Sequence, residues 1–254
     1  MGEIIKIENL IKCISVKGEE TKITIDPEKL IFLGDRYGGY VVLKDLINPT
    51  SICYSAGVGV NVSFDNDLYN TCVEWHGIPC HHWVMDPTPS SKKVMETWHK
   101  KLKMNLTTHI LTCGLGGEDG DFKFSHQGPG ISWSFEKTTG EGMTSETTKI
   151  VPVKKLSTLM KENSHKKINI LKMDIEGDEY GIIDDIIENK LDIDMIALEF
   201  HGHNPKIGKW GYSKISRNSR NEYIAKLEKY KLSNVWKDKG ERDYLFIKNE
   251  LMGF

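Results

Sequence analysis

The chain of 254 residues carries 39% hydrophobic and 28% charged side chains and a formal net charge of −2. That is the make-up of an ordinary globular protein of one large domain or two small ones, and the near-neutral charge argues against a nucleic-acid-binding surface. No stretch approaches the roughly eighteen apolar residues of a membrane span, and the early charges at Glu3, Lys6, Glu8 and Lys12 do not suit a signal peptide.

Residues 1–49 read as an N-terminal annex packed on a core of residues 50–254. The annex holds an alternating strand near Thr21–Ile25 and an apolar run from Leu30 to Leu43. After Thr50, strands and helices alternate. Ser51–Ser55 reads as the first core strand, Ser63–Trp75 as an amphipathic helix, and His82–Met85 as the second strand; a helix over Ser90–Lys103 and a third strand over His109–Cys113 follow. Phe122, Phe124, Trp133 and Phe135, set among Gly, Ser and Thr, suggest short strands and a loop over residues 121–150. Next come a helix over Val153–Asn163, a strand over Ile168–Met173, a helix over Glu179–Glu188 and a strand over Met195–Phe200. A basic insertion leads into a helix over Ser219–Tyr230. The chain closes with strands Leu232–Trp236 and Tyr244–Ile247, whose short connection obliges them to pair antiparallel. This order predicts an α/β fold with a mostly parallel sheet, right-handed crossovers and helices on both faces. Five cysteines without a CxxC pair point to a reducing, cytoplasmic setting.

The chemistry gathers where strands end. Asp174 and Glu176 follow the buried strand Ile168–Met173, and Gly177 permits a tight turn into the next helix. Ligands of open α/β sheets bind beyond the carboxyl ends of the strands, so Asp174 and Glu176 should face a pocket. Asp178 and Glu179 read instead as caps on the helix N-terminus. Tyr54-Ser55-Ala56-Gly57-Val58-Gly59 leaves the first strand as a glycine turn, and Asp86 ends the second strand where it could accept both hydrogen bonds from a ribose diol. Small residues in Cys113–Gly120 leave room for a flat adenine ring. Glycine loop and ribose acid fit NAD or S-adenosylmethionine. The latter is favoured because the third glycine for a pyrophosphate is missing, the fourth strand ends in acids that suit a cation, and the final strands pair antiparallel as in class I methyltransferase sheets.

Taken together, Gly38-Gly39-Tyr40-Val41-Val42, the Tyr54–Asp65 loop, Met85-Asp86-Pro87-Thr88, Gly114–Gly120, Lys172–Gly177 and Leu198-Glu199-Phe200-His201 resemble the FkbM-type methyltransferases over roughly residues 33–248. The resemblance implies a Rossmann-like class I fold with a seven-stranded sheet and S-adenosylmethionine as cofactor. It implies methylation of hydroxyls on sugars or related small molecules. Gly57 and Gly59 would line the methionine part, Asp86 would hold the ribose, and Asp174 would lie near the methyl group. The full candidate cofactor set is Tyr54, Ser55, Ala56, Gly57, Gly59, Asp65, Asp86, Pro87, Gly114, Leu115 and Asp174.

Methyl transfer to an alcohol needs an aligned oxygen and a proton acceptor. His201 is the base candidate, with Glu199 or Glu176 orienting it, and Asp174 and Glu176 complete the catalytic set. A competing reading has Asp174, Glu199 and His201 hold a divalent metal. His81, His82, His99 and His165 read as structural or exposed. The basic run Lys206, Lys209, Lys214, Arg217, Arg220, Lys226, Lys229 and Lys231, with Trp210 and Tyr212, reads as a lid for a phosphorylated or nucleotide-linked acceptor or as a solvated face. An NAD-dependent oxidoreductase or epimerase is a second reading; Tyr40 and Lys44 match the Tyr-x-x-x-Lys spacing of its catalytic pair but precede the first core strand, where such enzymes do not carry it. A non-catalytic or RNA-associated module is a third.

Overall fold

The computed structural model describes residues 25–126, 133–136, 148–201, 203–204, 209–210, 217–238 and 242–252. The annex forms a hairpin, β1 (Leu30–Leu33) and β2 (Tyr40–Leu43), where the sequence shows one apolar run; the strand expected at Thr21–Ile25 lies almost wholly outside the described residues. Then come β3 (Ile52–Ala56), α1 (Ser63–His76), β4 (His81–Met85), α2 (Pro89–His99) and β5 (Thr108–Leu111). After β6 (Gly114–Leu115), β7 (Gly120–His126), β8 (Trp133–Glu136) and β9 (Thr148–Lys154) the chain enters α3 (Leu156–Glu162), β10 (Lys167–Met173), α4 (Glu179–Glu188) and β11 (Asp192–Glu199). It ends through β12 (His203–Asn204), β13 (Lys209–Trp210), α5 (Arg217–Lys229), β14 (Leu232–Lys237) and β15 (Asp243–Lys248).

The main sheet has seven strands in the order β14-β15-β11-β10-β3-β4-β5. Only β15 runs against the others, being antiparallel to both β11 and β14. The chain moves outward from β3 through β4 to β5, then resumes on the other side of β3 with β10. That reversal opens a crevice at the carboxyl ends of β3 and β10.

Alternating side chains build two cores from the same strands. Tyr54, Leu171, Ile196 and Leu198 pack with Leu156, Leu159, Ile182, Ile186 and Leu227 of α3, α4 and α5. Cys53, Ile170, Met195 and Leu245 face the other way, against Phe64, Leu68 and Cys72 of α1 and Tyr40–Leu43 of the hairpin. The Leu43 N–H meets Met195 Sδ at 3.3 Å, so the hairpin covers β11 as a helix would.

The described parts of residues 121–150, where the sequence suggests short strands, belong to a second sheet of six strands, β12-β13-β8-β7-β9-β6. It also corrects the helix expected from Val153. Val151 and Val153 are buried while Ile150 and Pro152 are exposed, a period of two that extends β9 to Lys154, and the helix begins only at Leu156. This sheet runs from His203, just past His201, to Leu115 beside the crevice. Among the described residues no helix is long and apolar enough to cross a membrane.

Candidate active site

Gly57 leaves β3 with φ +76°, and a Cβ there would lie 1.5 Å from the Asp174 carbonyl oxygen. Only glycine permits that approach. The Gly57 N–H donates to Met85 O at 3.0 Å and the Asp174 N–H to Ala56 O at 3.1 Å, tying together the ends of β3, β4 and β10. Gly59, at φ +57°, has open space where a Cβ would be and donates its N–H to Asp86 Oδ2 at 2.8 Å. Asp86 is buried, and its Oδ1 accepts the Thr88 N–H and hydroxyl at 2.8 and 2.7 Å. Three donors thus aim a carboxylate whose remaining lone pairs suit a diol.

Of the predicted cofactor residues, Gly57, Gly59, Asp65, Asp86, Pro87, Gly114, Leu115 and Asp174 line this crevice, and so does Glu176. Tyr54, Ser55 and Ala56 do not. They lie within β3, below the glycine turn, where alternation commits side chains to the sheet faces. The Tyr54 ring stacks on Trp83 at 5.5 Å, and its hydroxyl meets His165 Nδ1 at 2.9 Å. Asp65 is buried 3.2 Å from His82 Nε2. Burial works to raise its pKa, but His82 and then Lys172 hold its carboxyl below the usual range. His82 is therefore a partner of the site's floor. Lys172 was visible in the sequence as a lysine inside an apolar strand. Its Nζ donates to Ala56 O at 3.2 Å and Gly57 O at 2.8 Å, bracing the glycine turn from below. Gly116 and Gly117 are small for another reason than an adenine ring: a Cβ at Gly116 would lie 2.6 Å from Val153 Cγ1 of β9, and one at Gly117 2.7 Å from Gly181 Cα of α4.

The other end of the crevice is an imidazole among carboxylates. His201 is 4% exposed. Its Nδ1 lies 2.7 Å from Glu179 Oε1, which also accepts the Gly177 N–H at 3.1 Å. Its Nε2 lies 3.3 Å from Glu176 Oε2 and 3.8 Å from both Asp174 Oδ1 and Glu199 Oε1. The orienting carboxylate is thus Glu179, rather than Glu199 or Glu176; Asp178 and Glu179 do stand at the N-cap and in the first turn of α4, though Asp178 makes no side-chain cap hydrogen bond. Asp178 Oδ2 instead accepts the Gly117 N–H at 2.7 Å. Glu176 sits at φ +58°, a left-handed turn that delivers its side chain to the cluster. Glu199 is ion-paired with Arg242.

Burial opposes charge on His201, but Glu179, Asp174 and Glu199 outweigh it and push its pKa up to about 10. Burial, followed by Asp174, pushes Glu199 up to about 7, and burial with Glu199 does the same for Asp243. The surrounding carboxylates thus favour the protonated imidazole, which counts against His201 as the base and leaves the carboxylates as the candidate proton acceptors.

Much of the expected lid, residues 206–208 and 211–216, and most of the Gly128–Thr148 loop lie outside the described residues; Trp133 and Trp210 are placed as strand backbone in β8 and β13. The C-terminal part of the basic run is partly structural. Arg220 is buried 5.8 Å from the Tyr244 ring centre, and Lys226 Nζ donates to Asp184 at 2.9 Å.

A family model described as "Methyltransferase FkbM domain" matches residues 57–233. The chain is similar to the crystal structure of methyltransferase FkbM from Methylobacillus flagellatus KT, at 12% identity and a TM-score of 0.47 over 79% of this chain and 44% of that one. It thus spans less than half the length of that structure. It is also similar to a geranyl diphosphate methyltransferase solved with GPP and sinefungin, at 10% identity and a TM-score of 0.39 over 80% of this chain and 75% of that one. No curated protein matches it.

Proposed function

The chain belongs to the family of FkbM methyltransferase domains, and we propose that it transfers the methyl group of S-adenosylmethionine to a hydroxyl of a sugar, glycan or related small molecule. The observation that carries this reading is the contact of the Gly57 turn with Asp174. It joins a carboxylate suited to a ribose diol and an anionic end suited to a sulfonium in one crevice. The fit extends to Gly59, whose missing Cβ leaves open space beside Asp86, and to Gly114 and Leu115, which line the same crevice. When bound, the cofactor supplies an activated methyl carbon. The chain's own residues hold the acceptor oxygen behind it and take its proton, for which Asp174 and Glu176 both border the crevice.

The pairing of Lys209 in β13 with Glu136 in β8 supports both insertions serving one acceptor. Their aromatic residues suit sugar rings, and their lysines a phosphate or nucleotide attached to one. The spacing match of Tyr40 and Lys44 lends the oxidoreductase reading no support: Tyr40 is buried near Phe64 and Lys172, whereas Lys44 Nζ donates to Glu28 O at 2.6 Å. The RNA-associated reading is weakened by the internal contacts of Arg220 and Lys226.

Calorimetry with S-adenosylhomocysteine and with NAD tests the cofactor, and transfer of labelled methyl to free sugars and sugar nucleotides tests the acceptor. Binding of S-adenosylhomocysteine alone is expected. Binding of NAD without it would sink the proposal.

A further inference from the structure

We infer that Asp174, Glu176 and His201 form a binding site for one divalent cation at the acceptor end of the crevice. One ligand atom from each lies within 4.8 Å of the others. Donors held at about 2.1 Å from a common ion stand about 3 Å apart at a right angle and further apart at wider angles, and the 3.3 Å from Nε2 to Glu176 and 3.8 Å to Asp174 fall in that span.

Grouped carboxylates alone would not make a site. The histidine is what distinguishes this group. His201 is more than nine-tenths buried, and its Nε2 is aimed into the carboxylates because Nδ1 is tied to a fully buried carboxylate, Glu179. A ligating histidine commonly gives its second ring nitrogen to such a carboxylate, which fixes its orientation and strengthens it as a donor. The sequence alternative used Glu199 in place of Glu176. The structure favours Glu176, whose Oε2 stands 3.3 Å from Nε2 against 3.8 Å for Glu199 Oε1. Asp174 and Glu176 keep 27% and 22% of their side chains open, which leaves the ion's outer positions to water or an acceptor oxygen. Two oxygens and one imidazole suit manganese, iron(II) or zinc. Such an ion lowers the pKa of a hydroxyl bound to it.

This deepens the methyl-transfer reading without needing it, because the ion is titrated with no methyl donor present and S-adenosylhomocysteine affinity is measured separately. Manganese(II) is titrated into the full chain and followed by electron paramagnetic resonance. One bound equivalent is expected, with electron spin-echo modulation from one imidazole nitrogen. Glu176→Gln and Asp174→Asn should each weaken binding at least tenfold, and Glu179→Gln, which touches no ion, about 10- to 100-fold. Wild-type protein that binds no stoichiometric manganese, or binds it without nitrogen coupling, overturns the site. So does binding that both carboxylate variants leave unchanged.

Discussion

The main sheet holds histidines in two opposite environments. At the carboxyl ends of its strands, His201 sits among Glu179, Glu176, Asp174 and Glu199, and carboxylates raise its pKa. Toward the amino ends, His81, His109 and His165 surround Trp83, with ring centres 6.3, 4.6 and 4.3 Å from the indole. There burial lowers the pKa of His109 and His165, and neighbouring imidazoles lower it further. The same side chain thus joins a carboxylate cluster at one end and borders an indole at the other.

The largest expected effect is at the joint between cradle and cluster. Gly57→Ala should destabilise the protein by roughly 3–5 kcal/mol, because a strained φ is added to a backbone collision. Gly77, toward the amino ends, has a similar φ of +80° but nothing within 4 Å of a would-be Cβ. Gly77→Ala should cost only about 1–2 kcal/mol. Equal losses in urea unfolding would show that the close approach to Asp174 is not a real constraint.

Next in size is Glu179→Ala, which leaves a buried imidazole without the partner on its Nδ1 and should cost about 3 kcal/mol. Glu179→Gln retains an acceptor oxygen and should cost clearly less. If the two unfold alike, the carboxylate is not what holds the ring.

Asp86→Ala should weaken S-adenosylhomocysteine binding by roughly 1.5–3 kcal/mol, through lost charge-assisted hydrogen bonds. Calorimetry showing unchanged affinity would remove the ribose assignment and leave Asp86 as a brace for Gly59 and Thr88.

The smallest effect lies around Trp83. His109 and His165 have folded pKa values below the ordinary 6.5, so the folded state binds fewer protons than the unfolded state. The stability they contribute is present above about pH 6.5 and is lost as the pH falls toward their lowered folded values. The urea midpoint should drop between pH 7.5 and 5.5 by more in wild-type protein than in His109→Phe, which keeps a ring against Trp83 but cannot titrate. An identical drop would mean that the His109 imidazole is not held neutral by the fold.

The sequence was most legible where backbone conformation made the site. Gly57, Gly59, Asp86 and Asp174 stand at strand ends, and strand ends can be found from apolar runs and glycines. It was least legible where three elements meet. Which acid near Gly177 turns inward depends on the left-handed backbone at Glu176, and nothing in Glu176-Gly177-Asp178-Glu179 marks Glu179 as the residue that reaches His201. The second sheet escaped because its strands are short and rich in Gly, Ser and Thr, with partners distant in the chain. Lys172 was different: its charge in a buried strand stood in plain sight, but its bonds to Ala56 and Gly57 required knowing which strand lies alongside.

The insertion of β15 between β11 and β14 bears on how the protein is made. The Phe200 N–H donates to Arg242 O at 2.8 Å, and the Arg242 side chain pairs with Glu199. Until residues 242–248 have left the ribosome, β11 has an unpaired edge, open to other chains. The glycine turn and Asp86, made more than 150 residues earlier, need no such closure with the far end of the chain. The Gly57–Asp86 end of the crevice can therefore take shape during synthesis, while the His201 end waits for β15 to slot in. A chain interrupted before Arg242 would be an aggregation hazard.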